Sequence, residues 1–260
     1  MDDAQVGRYW NDNAETWTRL ARAGYDQYRD LVNTPAFLAM LPEVKGLAGL
    51  DLGSGEGHNT RLIARRGARM TAIDIAETFI AHARAAEADE SLGIDYHVVS
   101  AQSLPFADAS FDFAVATMSL MDMPDPAAAI REAYRVLRPG GFLQFSITHP
   151  CFMTRRWNWV RDETGERIGV ICGDYFDPPR GEIDEWIFGA APAEVRQGLK
   201  PFRMPRFFLT LSDWMNTLLE TGFRIERLGE PCASEELARR EPHVADTRVV
   251  AYFLHLRCRK

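Results

Sequence analysis

Residues 49–57 read Gly-Leu-Asp-Leu-Gly-Ser-Gly-Glu-Gly and stand between a short apolar run and a helical segment. Glycines at a strand-to-helix turn let the chain bend tightly and let a ligand approach the backbone closely. The dinucleotide-binding pattern GxGxxG needs a third small residue where this sequence has His58, so the observed spacing is GxGxG. The turn therefore predicts a cofactor site and argues against a nicotinamide dinucleotide as its ligand.

Short strands and helices alternate on both sides of this turn. Apolar or β-branched runs predict strands at Ala48–Leu52, Arg69–Asp74, Ile94–Val99, Phe111–Met118 and Phe142–Ile147. Helical patterns lie between them at Thr60–Arg66, Ala76–Glu90 and Pro126–Leu137. This alternation is typical of βαβ units, so we predict an α/β fold with a parallel sheet covered on both faces.

Four segments of a single domain follow from the changes of pattern along the chain. Residues 1–45 form a predicted helical cap, residues 46–150 the cofactor-binding core, and residues 151–206 an aromatic insertion without the alternation. A segment of this length inside a compact domain is usually functional, so we interpret it as a substrate lid. Residues 207–260 predict a helix at Thr210–Thr221, a strand at Phe223–Leu228 and a long final strand at Asp246–Arg257.

Composition and charge exclude several classes of protein. The 260 residues include 30 Lys and Arg against 37 Asp and Glu, a net charge of −7 that argues against nucleic acid as a partner. No apolar run reaches the roughly 18–20 residues of a membrane span, and the acidic start Met1-Asp2-Asp3 predicts no secretory signal. The cysteines are scattered without a CxxC pair, which predicts a cytoplasmic protein with no metal site. They are Cys151, Cys172, Cys232 and Cys258.

Four ordered blocks of sequence carry a resemblance to a known family. They are Leu50–Gly57, Ile73–Ile75, Ser103–Phe106 with Ser110–Asp112, and Arg135–Gly141. Together they resemble the class I S-adenosylmethionine-dependent methyltransferases, close to the ubiquinone/menaquinone-type group that acts on small molecules. The resemblance implies a Rossmann-like sheet of seven strands, mostly parallel with an antiparallel last strand. It also implies S-adenosyl-L-methionine as the cofactor.

The resemblance assigns cofactor contacts residue by residue. Asp74 closes the second predicted strand, where a carboxylate can accept hydrogen bonds from both ribose hydroxyls, and Ile75 is expected against the adenine. The family often has an aspartate for the adenine amino group where this chain reads Ser100-Ala101-Gln102. Either Ser100 or Gln102 takes over that contact, or backbone and apolar neighbours hold the adenine. The loop and the adenine edge add the expected contacts Asp51, Gly53, Ser54, Gly55, Gly57, Ala101, Gln102 and Ser103.

Candidate catalytic residues come from the strand ends, because ligands bind beyond the carboxyl edge of such sheets. Thr117 and Met118 are expected to flank the sulfonium of the cofactor. His149 and Asp122 are candidate bases, should the acceptor have to lose a proton. The alternative for His149 is a cap on the strand end or a bond to a lid carbonyl. For Asp122 the alternative is a turn before Pro124.

The substrate site is expected between the helical cap and the insertion. Tyr25 is assigned to the cofactor and Tyr28 to the substrate, with helix packing as the alternative for both. Trp157, Trp186 and Arg206 are expected to hold a flat or apolar acceptor, unless the aromatic residues form the core of the insertion itself. The predicted function is methyl transfer to O, N or C of a small molecule by in-line displacement. An NAD(P)-dependent oxidoreductase and a non-catalytic cofactor-binding module are the alternatives, and the oligomeric state stays open.

Overall fold

A seven-stranded sheet forms the centre of the computed structural model, which describes residues 1–260. Its parallel strands are β1 (Ala48–Leu52), β2 (Arg69–Asp74), β3 (Asp95–Val98), β4 (Phe111–Thr117) and β5 (Leu137–Thr148). The order is β3-β2-β1-β4-β5-β11-β10, where β10 is Arg224–Gly229 and β11 is Phe253–Arg259. Strand β11 runs antiparallel to both of its neighbours. The predicted fold is therefore confirmed.

Helices cover both faces of this sheet, and each face has its own apolar core. One core joins the strands to α5 (Pro126–Val136) and α7 (Leu211–Thr221), with Trp214 fully buried. The other joins them to α2 (Thr34–Met40), α3 (His58–Ala64) and α4 (Glu77–Asp89). Burial on both faces explains why the strands read as continuous apolar runs rather than as alternating ones. None of the helices combines the length and apolar character that a membrane span needs.

The start predicted for the final strand is wrong. Residues Pro242–Arg248 form a 3₁₀ helix, and the strand begins only at Phe253. Side-chain hydrogen bonds stabilise this helical turn, because the Thr247 hydroxyl donates to the carbonyl of Val244 at 2.6 Å and accepts from the Ala233 amide at 2.9 Å. These partners become available only in the folded chain, so the alternation of residue types did not reveal them.

The N-terminal cap lies over the cofactor end of the sheet. Helix α1 (Asp3–Arg22) begins with a capping box between Asp2 and Gln5 and packs on α4. A π-helical segment (Arg29–Asn33) follows and leads into α2. Such π segments often occur at functional sites, and this one reaches the carboxyl edge of the sheet.

The insertion consists of two β-hairpins rather than an irregular loop. The first pairs β6 (Arg156–Arg161) with β7 (Arg167–Gly173), and the second pairs β8 (Arg180–Trp186) with β9 (Phe202–Phe207). A short α6 (Ala193–Arg196) lies in the second connection, and α8 (Glu235–Arg240) follows β10. Strand β9 packs on α1, where Asn13 bonds both the amide and the carbonyl of Arg203 at 3.0 Å.

Gly49 in β1 tests how tightly side chains of the neighbouring strands β2 and β4 pack over the backbone of β1. A methyl group there would overlap the Phe113 ring and lie 2.7 Å from Met70 Sδ. Gly49→Ala is therefore expected to lower the free energy of unfolding by about 1–3 kcal/mol or more, as overpacked cores do. Urea denaturation measures this change. Gly169→Ala in β7 is the matched control, because no atom lies within 4 Å of its added methyl group. Equal stability of the two variants would contradict the packing described for β1.

Candidate active site

A cavity of about 1080 Å³ opens at the carboxyl edge of the parallel strands. Its floor is the glycine turn after β1 and the ends of β2 and β4, at the point where the strand order reverses. The N-terminal cap, both insertion hairpins and the 3₁₀ helix before β11 complete its walls. The cavity therefore joins all four predicted segments of the chain.

The glycine turn presents bare backbone to this cavity. The amides of Gly53 and Ser54 both donate to the carbonyl of Ile73 at 2.9 Å, which fixes the turn on β2. Gly55 has a positive φ of 55°, and a Cβ there would meet nothing within 4 Å. Gly53, Ser54 and Gly55 all line the cavity, and the Ser54 hydroxyl has no partner in the protein. The turn can thus admit a ligand to its backbone.

Asp51 and Gly57 support the turn from behind and do not line the cavity. The buried Asp51 accepts a 2.6 Å hydrogen bond from the Thr60 hydroxyl, and its other carboxylate oxygen has no partner. Burial raises the pKa of Asp51 to about 7. Gly57 has a φ of 80° and is the N-cap of α3, with the Tyr96 side chain filling the space a Cβ would need. Both residues were predicted as cofactor contacts, but neither lines the cavity.

Asp74 presents a carboxylate of fixed orientation at the end of β2. One oxygen accepts from the Gly55 amide at 2.8 Å and the other from the Ala76 amide at 2.9 Å. Burial raises the pKa of Asp74 to about 6, against the effect of these bonds. Asp74 and Ile75 both line the cavity. A carboxylate held in this way suits a ligand that offers two neighbouring hydroxyl groups.

Only part of the predicted adenine edge faces the cavity. Ala101 lines it together with Ser100, whereas Gln102 and Ser103 do not. The backbone amide of Gln102 donates to the Ser100 hydroxyl at 3.1 Å, and the side-chain amide of Gln102 donates to the Asp3 carboxylate at the start of α1. Gln102 therefore connects the core to the N-terminal cap, and of the two side chains considered for the adenine only that of Ser100 lines the cavity.

The N-terminal wall contains charged residues that sequence reasoning missed. Tyr25 lines the cavity as predicted for a site residue, and Asp26 and Arg29 line it beside Tyr25. Burial raises the pKa of Asp26 to about 6, while Arg29 opposes the shift. Arg29 Nε donates to Asp30 Oδ1 at 2.7 Å. A carboxylate and a guanidinium side by side suit the charged groups of an amino acid. The sequence signal that could have revealed these two residues is the polar run directly after the helix break at Gly24.

The chain after β4 turns sharply into the cavity. Thr117 and Met118 line it, and the buried Thr117 hydroxyl has no partner. A 3₁₀ helix at Leu120–Asp122 follows and brings Asp122 into the wall. No hydrogen bond reaches the Asp122 carboxyl, and its burial raises the pKa to about 8 while Arg206 lowers it. An unpartnered carboxyl of raised pKa at a cavity surface can accept a proton from a bound molecule.

The second insertion hairpin forms the opposite wall with Trp186 and Arg206. Arg206 Nη1 donates to Asp184 Oδ2 at 3.1 Å, and its guanidinium lies 4.3 Å from the centre of the Phe208 ring. Trp186 packs edge-on against Trp17 of α1, with ring centres 5.4 Å apart. Trp186 and Arg206 therefore line the cavity, as predicted for substrate residues. Both also take part in the packing of the insertion.

Two further predicted site residues, one catalytic and one for the substrate, also lie outside the cavity. His149 is buried, with Nε2 2.8 Å from Glu230 Oε1 and Nδ1 accepting from the Cys151 amide at 3.2 Å. This is the cap on the strand end that was its alternative, and both ring nitrogens are engaged. Trp157 packs on Trp159 at 5.2 Å and does not line the cavity. The sequence predicted both residues to belong to the site. In the structure, His149 is held by Glu230 and Cys151, and Trp157 packs on Trp159, so neither side chain lines the cavity.

A buried carboxylate at the far end of the cavity connects three distant segments. Asp246 accepts hydrogen bonds from the Tyr28 hydroxyl at 2.8 and 2.9 Å and from the Tyr252 hydroxyl at 3.2 Å. It also pairs with Arg167 of the first hairpin, whose guanidinium lies 4.7 Å from the centre of the Trp159 ring. Tyr28 thus lines the cavity as predicted for a site residue, although its hydroxyl serves Asp246. Sequence reasoning missed Asp246 because it was assigned to a strand.

The exposed groups of the cavity fit S-adenosylmethionine. Asp74 suits its ribose, the open backbone at Gly55 leaves room for its chain, and the Asp26–Arg29 pair suits its amino-acid end. The structure contains no cluster of His, Cys, Asp or Glu side chains that could hold a metal ion.

Several known proteins with similar sequences or structures are methyltransferases. A family model described as a methyltransferase domain matches residues 50–145. A ubiquinone biosynthesis O-methyltransferase of Pseudomonas aeruginosa is 30% identical over 145 residues, which is 54% of this chain and 61% of that protein. The chain thus spans about three fifths of the length of this curated relative.

Solved structures extend the similarity over most of the chain. An S-adenosylmethionine-dependent methyltransferase from Mesorhizobium loti superimposes with a TM-score of 0.70 and 30% identity, covering 87% of this chain and 96% of the other. The Burkholderia thailandensis 1,6-didemethyltoxoflavin-N1-methyltransferase shares the fold, with a TM-score of 0.56 and 16% identity over 95% of this chain and 86% of its own. With the glycine turn and Asp74 inside the matched region, the chain belongs to the class I S-adenosylmethionine-dependent methyltransferases, and S-adenosylmethionine is its cofactor.

Proposed function

We propose that this chain transfers a methyl group from S-adenosylmethionine to a small molecule bound in the cavity. One observation carries the proposal: a single cavity of about 1080 Å³ joins the glycine turn and Asp74 to the insertion hairpins. Small-molecule pockets span roughly 300–1,000 Å³, so this volume accommodates a cofactor together with an acceptor of modest size. The net charge of −7 supports a small molecule rather than nucleic acid as the acceptor.

Different residues of the chain have different roles in the proposed reaction. When bound, S-adenosylmethionine would supply an electrophilic methyl carbon, which the acceptor atom would attack in line as the bond from that carbon to sulfur breaks and leaves S-adenosylhomocysteine. Asp74 would hold the ribose, and Asp26 with Arg29 would hold the charged amino-acid end. Trp186 and Phe188 close the cavity with apolar surface, which excludes water and aligns the acceptor.

Asp122 is the proposed base for an acceptor that must lose a proton. It is a cavity-lining carboxyl without a hydrogen-bond partner, on the segment directly after β4. Its carboxylate would take the proton from an acceptor O–H or N–H group, while the acceptor atom forms its bond to the methyl carbon. Arg206 on the facing wall would stabilise the negative charge that develops on the acceptor. His149 is not proposed as the base, because its nitrogens are engaged by Glu230 and Cys151.

The insertion is the proposed substrate lid. Both hairpins contribute cavity wall, and the Arg167–Asp246 pair joins the first hairpin to the body of the protein. Tyr28 would contact the acceptor at this end of the cavity. The name of the curated relative, an O-methyltransferase of ubiquinone biosynthesis, supports oxygen as the atom methylated. All four cysteines are free thiols, which supports a cytoplasmic location.

Methyl labelling tests the proposed function directly. The purified protein is incubated with methyl-labelled S-adenosylmethionine and the separated small-molecule, RNA and protein fractions of a bacterial extract. We expect label in the small-molecule fraction, from which the acceptor is then identified by mass. Label confined to RNA or protein, or no label in any fraction despite bound cofactor, would overturn the proposal.

Trp186 tests whether the second hairpin contacts the acceptor. Trp186→Leu is expected to raise the KM for that acceptor about tenfold, because an aromatic wall of the cavity is lost. The affinity for S-adenosylhomocysteine should stay within about twofold, as expected for a site that the substitution does not touch. Trp157→Leu is the matched control, since Trp157 belongs to the same insertion but does not line the cavity. Equal losses of acceptor and cofactor affinity would contradict the assignment.

A further inference from the structure

The turn between β4 and Asp122 has an unusual backbone conformation. Met118 has a φ of 54°, in the left-handed region that side chains other than glycine rarely adopt. Such conformations persist only where the surrounding structure holds them, and they concentrate at functional sites. This turn directs the chain from the sheet into the 3₁₀ helix that ends at Asp122. The position of the Asp122 carboxyl therefore depends on what holds Met118.

Two neighbouring segments hold the turn. The Met118 amide donates to both oxygens of Ser146 in β5, to the carbonyl at 2.9 Å and to the hydroxyl at 3.2 Å. On the other side, the Ser119 hydroxyl donates to the carbonyl of Leu52 at 2.5 Å. The turn is thus fixed between the fifth strand and the glycine turn.

A hydrogen-bonded network of buried polar side chains holds the Ser146 hydroxyl in place. Asn33 Nδ2 donates to Ser146 Oγ at 3.3 Å, and Asn33 Oδ1 lies 2.6 Å from Nε2 of His255. Asn33 and Ser146 are completely buried and His255 nearly so. Burial lowers the pKa of His255 to about 4, so at neutral pH its ring is uncharged and the bond to the asparagine oxygen requires the Nε2–H tautomer. One side chain comes from the π segment and one from β11, and both converge on β5.

We propose that Asn33, Ser146 and His255 are positioning residues for Asp122, acting through the left-handed turn at Met118. The inference rests on the proposed function, in which Asp122 receives the proton of the acceptor. Buried polar groups are costly unless they are satisfied, and connected networks make side-chain positions rigid. Here the network ends on a single backbone amide, that of Met118, beside the site of the reaction. The arrangement fixes the position of Asp122 at the end of a short 3₁₀ helix.

The titration of Asp122 in the complex with S-adenosylhomocysteine tests this inference without an acceptor. The carboxyl carbon is followed by NMR and assigned from the spectrum of Asp122→Asn. Ser146→Ala is expected to lower the Asp122 midpoint by about one pH unit, because a released turn exposes the carboxyl to water. The Met118 amide should also exchange about tenfold faster, since it loses part of its bonding. The affinity for S-adenosylhomocysteine, measured by calorimetry, should stay within about twofold.

A matched variant separates positioning from stability. Gln144→Leu alters another fully buried polar residue of β5, whose side chain bonds the carbonyl of Phe37 at 2.8 Å instead of the turn. It should lower stability but leave the Asp122 titration unchanged. His255→Gln keeps a donor for Asn33 and should behave like the wild type, whereas His255→Leu should behave like Ser146→Ala. This pair provides the test if Ser146→Ala does not fold.

Glycine at position 118 provides the decisive comparison, since glycine adopts the left-handed conformation without support. In a Met118→Gly background, Ser146→Ala is therefore expected to leave the Asp122 midpoint where it was. An equal shift in both backgrounds, or no shift in either, would overturn the inference. Asp122→Asn with full methyl transfer would instead overturn the proposed base while leaving this titration result intact, so the two failures are distinguishable.

Discussion

Asp74→Ala is expected to weaken the binding of S-adenosylhomocysteine by at least about 100-fold, because two charge-assisted contacts to the ligand disappear with the carboxylate. The same carboxylate accepts from the Gly55 and Ala76 amides, so its removal also frees the Gly55 amide, while the Gly53 and Ser54 amides still hold the turn on the carbonyl of Ile73. Cofactor recognition is therefore lost together with one support of the loop. Calorimetric titration with the product form of the cofactor measures the effect, since that form binds without turnover.

Asp95→Ala is the matched control for this loss. Asp95 lies on the neighbouring strand β3, is mostly exposed and pairs with His97 rather than with the loop. Its replacement should leave cofactor affinity unchanged. Parallel titrations with NAD and NADP should show no binding, as the GxGxG spacing predicts. Unchanged affinity for S-adenosylhomocysteine in the Asp74 variant would show that the carboxylate does not hold the ligand.

Asp122→Asn is expected to lower kcat by about 10²- to 10⁴-fold, the range that general bases contribute. Cofactor affinity should hardly change, because asparagine keeps the shape of the side chain. The acceptor identified by labelling is used at saturation, and initial rates are compared. His149→Gln is the control, since His149 lies outside the cavity and should affect kcat little. A large loss from the histidine variant with none from Asp122→Asn would reverse the assignment of the base.

The same reaction is expected to become faster as the pH rises, because Asp122 must be ionised to act as the base. Only the ionised carboxylate accepts a proton, and burial raises the pKa of Asp122 to about 8. The wild-type kcat/KM, which reports groups of the free protein, should therefore fall about tenfold per pH unit below that value and level off above it. Asp122→Asn should lose this dependence. A wild-type rate independent of pH across the range would indicate an acceptor that needs no base.

The local parts of the fold were predictable from the sequence. The bounds of β1 (Ala48–Leu52) and β2 (Arg69–Asp74) agree with the predicted strands residue for residue, because strands that are mostly buried give short runs rich in apolar residues. The glycine turn was also predictable from the sequence, because a tight strand-to-helix turn favours glycine at its positions. Asp74 followed from its place at the end of the second strand. Each of these features depends on neighbours close in sequence.

Only the tertiary structure decided which strand-end residues face the cavity. His149 and Asp122 both follow a parallel strand, and the sequence favoured His149 over Asp122 as the base. Yet the partner that engages His149, Glu230, stands 81 residues further along the chain. Asp246 similarly meets Tyr28 across 218 residues. Side-chain direction at a strand end is set by whichever hydrogen-bond partners the fold brings near, and local pattern carries no record of them. The sequence by itself thus determined the fold, the glycine turn and the position of Asp74, the carboxylate proposed for the ribose, whereas long-range contacts decided which candidate base lines the cavity and how the cavity is shaped.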